Sequence, residues 1–452
     1  MNRFLRGGYG GLIVLVALAP LGSVACGEDT RLGEVVDSGV DAAPDTDSAA
    51  APEDAATDAG SDVSDASDIR DAAPPTIECA ATPCIVDITR GNDDTCALTS
   101  TGTVYCWGDS PCGEVGAPLG GGDAELGPVP APRHVLDGVR GISAGAGSTC
   151  AITNGGELEC WGSLVSQFSN TMGGGAGQSC TPNPTPTRID GVPPLAAVAS
   201  TLANGCGVTE DGELWCWGSN GNGLLARAGL APCSYYSPCD TASYPPARAD
   251  LLDGKVKDVT IAFGGAFAFT ASNQLMSWGT SVTIGRTSSA DVDPNPLPVD
   301  LPNISSISIS LHGDGQSRGN NVCAAAQGRV YCWGGYNAPP RVVALPADQY
   351  ATQVSASLHT CTRTIDGSVF CWGSNQAGQL GDGTGIDHYL VPTKVEGLKA
   401  KAAKVVASKA TTCALLLTGE VQCWGANDKG QLGMGSADFL PHLQPGSVVA
   451  FQ

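Results

Sequence analysis

The sequence predicts an all-β fold, a seven-bladed β-propeller made of four-stranded antiparallel blades. Three observations lead to this prediction. The 452 residues include 61 Gly and 30 Pro but only 15% charged residues, which is typical of many short strands joined by tight turns. A hairpin-like segment that ends in Trp-Gly recurs seven times. The copies lie 39 to 61 residues apart, a spacing that suits one blade per copy.

Each copy has the alternating pattern of a β-hairpin. In the first copy, Leu98 and Val104 share a face with Cys96 and Cys106, and a turn lies between them. We therefore expect Cys96 to lie directly opposite Cys106. The copies are CALTSTGTVYCWG (96–108), CAITNGGELECWG (150–162), CGVTEDGELWCWG (206–218), FAFTASNQLMSWG (267–279), CAAAQGRVYCWG (323–334), CTRTIDGSVFCWG (361–373) and CALLLTGEVQCWG (413–425).

One tryptophan stands at the same position of every copy. A residue that recurs in each blade serves the repeat, so we interpret these side chains as blade-packing residues and not as a ligand cage. They are Trp107, Trp161, Trp217, Trp278, Trp333, Trp372 and Trp424.

The hairpin cysteines are expected to form disulfides. Six copies carry both cysteines, and the fourth has lost both together, to Phe267 and Ser277. Joint loss is what pairing predicts, and directly opposed strand positions suit the geometry of a disulfide. Buried free thiols are the alternative. The candidates are Cys96, Cys106, Cys150, Cys160, Cys206, Cys216, Cys323, Cys332, Cys361, Cys371, Cys413 and Cys423.

Six further cysteines lie outside the hairpins and after the N-terminal region. Their spacing suggests three more disulfides: Cys79 with Cys84, Cys233 with Cys239, and Cys112 with Cys180 between adjacent blades. Zinc is disfavoured, because no Cys-x-x-Cys or Cys/His pair has ligand spacing. We expect no metal and no cofactor.

The N-terminus, residues 1–25, is typical of an export signal. Arg3 and Arg6 precede a short apolar run, and small residues lead up to Cys26. Cys26 is the expected lipidation site of a bacterial lipoprotein at the outer membrane or cell surface, and its removal from the odd total of 19 cysteines leaves an even number. Cleavage by ordinary signal peptidase, giving a secreted or periplasmic protein, is the alternative.

Residues 26–78 are expected to form a disordered acidic linker. Positions 28 to 78 contain 15 Asp or Glu against 2 Arg, so the segment repels itself and has little apolar surface to bury. A tether of this kind would leave the lipid as the one membrane contact. The acidic balance also argues against nucleic acid, since phosphate recognition needs clustered Lys and Arg.

A glycine-rich loop follows some hairpins, seen best in WGSNQAGQLGDGT and WGANDKGQLGMGS. Together with the hairpin, this loop resembles the regulator of chromosome condensation repeat family over about residues 85 to 452. The resemblance implies a seven-bladed propeller. Nuclear members of that family promote nucleotide exchange on a small GTPase, and similar secreted bacterial propellers bind β-lactamases.

The propeller domain is expected to span 79–452 and to close its ring by exchanging a strand. The tail from Pro441 onward looks like the start of a further blade that lacks its hairpin. We therefore expect Val448 to Phe451 to pair into the first blade, which would remove an exposed edge.

We predict a monomeric binding module for a protein or glycan, acting through the segments that do not repeat. These are 109–131, 163–185, 219–245 and 280–298, and Tyr235, Tyr236 and Tyr244 offer aromatic contact surface. Two alternatives stay open. One is nucleotide exchange on a small GTPase, implied by the family resemblance. The other is a lyase or glycosidase, which would need carboxylates with perturbed pKa values converging in an axial pocket; the sequence itself identifies no catalytic residue.

Overall fold

The computed structural model describes residues 75–80, 83–118, 126–163, 182–201, 204–232, 243–262, 264–310, 322–334 and 337–451. The predicted signal peptide, Cys26 and most of the predicted linker lie outside this range, and so do Cys180, Cys233, Cys239, Tyr235 and Tyr236. Within the described residues, no helix has the length and apolar character needed to cross a bilayer.

Twenty-eight strands form seven four-stranded antiparallel sheets, which confirms the predicted fold class. Blade one contains β1 Ile85–Arg90, β2 Asp94–Thr99, β3 Val104–Gly108 and β4 Val129–Leu136. Blade two contains β5 Val139–Ala144, β6 Ser148–Thr153, β7 Leu158–Ser163 and β8 Pro182–Arg188. Blade three contains β9 Leu195–Ser200, β10 Asn204–Thr209, β11 Leu214–Ser219 and β12 Ser243–Arg248.

The remaining four blades follow in the same order. Blade four contains β13 Val256–Ala262, β14 Gly265–Thr270, β15 Leu275–Thr280 and β16 Val292–Pro298. Blade five contains β17 Ile304–Ile309, β18 Val322–Ala326, β19 Arg329–Gly334 and β20 Asn337–Val343. Blade six contains β21 Ala351–Ala356, β22 His359–Thr364, β23 Val369–Gly373 and β24 His388–Lys394. Blade seven contains β25 Ala402–Ala407, β26 Thr411–Leu416, β27 Val421–Asn427 and β28 Asp438–Ser447.

The predicted hairpins are the second and third strands of each blade, with the predicted register. Cys96 pairs with Cys106, and the shorter fifth copy still sets Cys323 opposite Cys332. In all six cysteine-bearing hairpins the paired sulfurs lie at bonding distance and the Cα atoms are 4.1 Å apart. In blade four, Arg286 Nε instead donates to Ser277 Oγ at 3.2 Å.

Two cysteines outside the hairpins are also paired, Cys79 with Cys84, with their Cα atoms 5.1 Å apart. Cys112 is disulfide-bonded as well. Its expected partner Cys180 lies outside the described residues, so that pairing stays a prediction, as does the pairing of Cys233 with Cys239.

The first strand of every blade lines the central axis, and polar side chains join these strands to one another. Adjacent inner strands belong to different sheets, so their facing amides need other partners. Thr89 Oγ1 accepts from the amide of Ala144 at 3.0 Å. Ser355 Oγ accepts from the amide of Ala407 at 2.8 Å. The polar groups at the axis therefore hold neighbouring blades together.

Among the described residues, five of the seven recurring tryptophans donate a hydrogen bond to the blade before their own. Trp161 Nε1 donates to the Glu114 carbonyl oxygen at 2.7 Å, and Trp424 Nε1 donates to that of Gln379 at 2.9 Å. Trp278 and Trp333 make the same kind of bond to Leu224 and Thr283. The accepting carbonyl lies in the loop between the third and fourth strands, so this loop serves blade packing.

The glycine after each tryptophan is required by its backbone conformation. Gly425 has a φ of 108°, and a Cβ there would lie 2.3 Å from the carbonyl oxygen of Ala410. Gly108 has the same φ and would meet Asp93 at 2.3 Å. Only glycine combines a positive φ with this close approach.

Strand exchange between the chain ends, which the sequence suggested, is wrong. All four strands of blade one come from residues 85 to 136, and β28 is the outer strand of blade seven. Pro441 and Pro445 belong to β28, and prolines occur in the outer strand of every blade. An edge strand tolerates proline because one side needs no hydrogen bonds, so these prolines mark the end of a blade and not the start of the next.

The ring closes through the contacts that link other adjacent blades. The amide of Ile85 donates to the hairpin-turn carbonyl of Gly419 at 3.2 Å, as Ala402 does to Gly367 at 2.9 Å. Trp107 Nε1 donates to Gln431 in the loop of blade seven at 3.1 Å. Phe451 contributes packing instead of a strand, because its ring lies 5.9 Å from that of Trp107.

Candidate functional site

The axial cavity has a volume of about 300 Å³ and is lined by the inner strands of all seven blades. Two of its larger polar groups are paired: Lys404 Nζ lies 2.7 Å from Asp87 Oδ1, and Gln353 accepts from the amide of Val405 at 3.0 Å. Arg90 also lines the cavity, and its buried Nε and Nη2 have no hydrogen-bond partner among the described residues. Within the described residues, no cluster of three or more His, Cys, Asp or Glu side chains could hold a metal ion.

Two buried carboxyls, Asp94 and Glu114, have raised pKa values, but neither lines the axial cavity. Asp94 begins β2, and burial raises its pKa well above the ordinary value, with a further contribution from Glu114. Burial raises the pKa of Glu114 to about 7. The Glu114 backbone carbonyl accepts from Thr149 and Trp161 of blade two. This pair therefore lies at the junction of blades one and two, and neither residue lines the axial cavity.

All four insertion segments begin on one face of the propeller. The hairpin turns lie at one end of the strands, so the connections between third and fourth strands lie at the other. We call that side the loop face. Segment 280–298 is described throughout, and Arg286 there pairs with Asp293 at 2.8 Å. Tyr244 lies in β12, half-buried against the core of blades three and four, so most of its ring is used in packing.

Large exposed apolar side chains concentrate where the outer strands of blades six and seven begin at the loop face. Of the twelve large hydrophobic residues that are exposed in the described part of the chain, six lie there. Phe439 is 92% exposed, Leu390 88% and Leu440 70%. We call this surface the rim patch; it consists of Ile386, Tyr389, Leu390, Val391, Phe439 and Leu440.

A surface pocket of about 230 Å³ opens beside Phe439 and Leu440. Its other wall comes from the loop of blade six, at Gln376 and Ala377, and Asp428 and Asp438 complete it. The pocket therefore lies where two blades meet and has both apolar and acidic walls.

The glycine-rich loops fix the start of the outer strands. Asn375 is buried; its Oδ1 accepts from the amide of Leu380 at 2.9 Å and its Nδ2 donates to the carbonyl of Thr384 at 3.0 Å. Asn427 repeats this in blade seven and also donates to Asp438 Oδ2 at 2.8 Å. Each loop is rigidly braced, so the rim patch is presented on a preformed surface.

Sequence reasoning missed the rim patch. All of its residues except Ile386 occur in HYLVP and DFLPH, which follow the two loops that match the repeat best. The binding segments predicted from the sequence were the non-repeating ones, so they did not include these residues. A usable signal was present: consecutive apolar residues beside a proline indicate an edge strand that no further strand covers.

These features define a seven-bladed propeller with disulfide-distance cysteine pairs in its hairpins. A model of the regulator of chromosome condensation (RCC1) repeat matches residues 366–415, and a second model of that repeat matches 85–114, 196–224 and 402–431. The chain is therefore a seven-bladed propeller that contains RCC1 repeats at these residues.

Known proteins resemble the chain over most of its length. It is 26% identical to the human E3 ubiquitin-protein ligase HERC2 over 385 residues, which cover 80% of the chain but 7% of HERC2. It is 27% identical to the ultraviolet-B receptor UVR8 of Arabidopsis thaliana over 371 residues, 78% of the chain and 79% of UVR8. The crystal structure of human WBSCR16 has 18% identity and a TM-score of 0.61, covering 77% of the chain and 94% of WBSCR16, which shows the shared fold.

Proposed function

We propose that the chain is an exported binding module that captures a protein partner on the loop face through the rim patch. The observation that carries this proposal is the exposure of Phe439, Leu390 and Leu440 on a braced surface. Groups of large exposed apolar side chains are costly in water and are typical of interaction sites. Aliphatic and aromatic groups next to one pocket suit a protein better than a glycan, which remains the alternative ligand.

The repeat family is compatible with this role. The names of the relatives describe a ubiquitin ligase in one case and a light receptor in another. The same fold can carry different activities, so the function of each member depends on the residues at its surface. That reasoning supports a binding role here and does not transfer the activity of any relative.

Export is supported by the cysteine pairs. Six hairpins with sulfurs at bonding distance are typical of an oxidising compartment. We propose a lipid on Cys26 as the anchor and residues 26–78 as the tether. Mass spectrometry of the mature N-terminus tests this: a diacylated or triacylated Cys26 is expected, and an unmodified terminus would reject the anchor.

The binding role is tested by partner capture with matched variants. Immobilised chain is incubated with cell-envelope and extracellular fractions, and captured proteins are then purified for affinity measurement. The wild type and the control Leu297→Ser, an exposed apolar residue of blade four, are expected to bind the same protein. The double variant Leu390→Ser/Phe439→Ser is expected to lose it. Equal binding by all three would reject the rim patch.

A further inference from the structure

Two carboxylates, Asp428 and Asp438, line the pocket beside Phe439, and its lining residues include no lysine or arginine. Asp438 accepts from Asn427 Nδ2 and from the amide of Leu440, and His442 Nε2 lies 3.1 Å from its Oδ1. These contacts, that of Asn427 first, hold the pKa of Asp438 below its ordinary value, so the carboxyl is ionised at neutral pH. Asp428 lines the same pocket. Lys429 follows directly in the chain, but its Nζ approaches Asp109 of blade one at 4.0 Å. The lysine is thus directed towards a blade junction and away from the pocket.

The charge discriminates among possible occupants. A second copy would bring its own Asp428 and Asp438 against the same residues, and like charges repel. The chain's acidic tract at positions 28 to 78 carries 15 carboxylates against 2 arginines, so it is repelled for the same reason. Charge complementarity therefore favours a basic partner.

The size of the pocket limits what can enter it. Sites for whole small molecules usually have about 300 to 1,000 Å³, and this pocket has about 230 Å³. One large side chain of a protein fits that volume better than a complete ligand. The apolar walls at Phe439 and Leu440 suit an aromatic or aliphatic group.

We infer that the rim pocket binds a protein segment in which a large apolar side chain is flanked by lysine or arginine. The apolar group is buried against Phe439 and Leu440, while the basic groups face Asp428 and Asp438. Burial supplies affinity, and charge pairing supplies selectivity and speed of association. This inference rests on the proposed function and adds the chemistry of the partner.

The test uses short synthetic peptides and fluorescence anisotropy with the full chain. Each peptide has a central Phe-Leu pair, flanked by lysines, by serines or by glutamates. We expect the lysine peptide to bind at least about tenfold more tightly than the serine peptide. We expect the glutamate peptide to bind most weakly. Added salt should reduce the advantage of the lysine peptide, because exposed charges are screened.

Two variants separate the inference from the proposed function. Asp428→Asn should lower the affinity for the lysine peptide by about three- to tenfold and leave the serine peptide unchanged. Phe439→Ser should weaken binding of both. Asp253→Asn, which removes an exposed carboxylate on the opposite face, and Leu297→Ser are the matched controls and should bind like the wild type.

The outcomes are distinguishable. If lysine and serine peptides bind equally but Phe439→Ser weakens both, the basic partner is wrong and the rim patch survives as a binding surface. If Asp428→Asn has no effect on the lysine peptide, the inference is also overturned. If neither variant changes the binding of any peptide, the inference and the role of the rim patch fail together.

Discussion

Large side chains are buried and hydrogen-bonded at the junctions between blades, whereas large apolar side chains are exposed to water on the rim of blades six and seven. At the junctions, buried polar groups find partners that recur around the ring, as Trp161 does at Glu114 and Trp424 at Gln379. On the rim, Phe439 and Leu390 are left almost fully in water. Elements that recur maintain the ring, whereas the apolar rim contributes little to it. Four substitutions test this contrast, from the largest expected effect on stability to the smallest.

Gly425→Ala should lower the free energy of unfolding by about 3 kcal/mol or more. The new methyl would meet the Ala410 carbonyl at 2.3 Å, so the junction must shift. Gly229→Ala is the control, because Gly229 also has a positive φ but has no heavy atom within 4 Å of the added methyl. Chemical denaturation should show a loss of only about 1 kcal/mol there. Equal losses would mean that backbone strain, and not close approach, explains the recurring glycine.

Glu114→Gln should stabilise the chain at pH 8 by about 1 to 3 kcal/mol. The folded-state pKa of Glu114, about 7, lies above the ordinary value of 4.5. The stability that the protonated carboxyl contributes is therefore fully present below pH 4.5 and is lost as the pH rises through 7. Gln379 and Gln431 occupy the equivalent positions in blades six and seven. Their side-chain oxygens each accept a hydrogen bond from the loop amide two residues earlier, as Glu114 does.

Measurements at low pH serve as the control for the stability gained by Glu114→Gln. Melting temperatures of wild type and Glu114→Gln should converge near pH 4, where the carboxyl is protonated in both the folded and the unfolded chain. The reverse change Gln379→Glu should destabilise at pH 8 and not at pH 4. A gain from Glu114→Gln that is constant with pH would contradict a buried, costly carboxylate.

Trp161→Phe should cost about 1 kcal/mol more than Trp217→Phe. Both rings are buried, so both variants lose similar packing. Trp161 Nε1 has a bond to Glu114, whereas Trp217 Nε1 is a buried donor without a hydrogen-bond partner among the residues that the structure describes. Urea denaturation of the two variants measures the difference. If the losses are equal, the recurring hydrogen bond adds nothing to the packing of the ring.

Phe439→Ser should change the free energy of unfolding by no more than about 0.5 kcal/mol. The side chain is 92% exposed, so little packing is lost, even though partner binding is expected to fall. The same denaturation assay serves as the measurement. A loss above about 1 kcal/mol would show that Phe439 supports the fold, and the separation between junction and rim would no longer hold.

Sequence reasoning predicted the features that alternate or recur. Strand alternation fixed the pairing of Cys96 with Cys106, and repetition gave the number of blades. The order of strands within a blade was harder, because Pro441 reads equally well as the beginning of one blade or the end of another. Only the hydrogen bonds of β27 with β28 decide it.

The candidate site could not be predicted in the same way. The run Tyr389-Leu390-Val391 has the composition of a buried strand, and its exposure depends on which strand is outermost. Tyr244 shows the converse, since a residue chosen for an open insertion packs against the core. Local pattern specifies pairing, but exposure is a property of the completed ring.

The way the ring closes has a consequence for its architecture. Trp107 reaches Gln431 by the same bond that joins neighbouring blades elsewhere, and Ile85 meets Gly419 by the same turn contact. The junction of blades seven and one therefore uses the same two kinds of contact as other junctions in the ring. Opening the chain at another connection between blades, with the present ends joined by a short linker, should give a circular permutant that assembles the same ring.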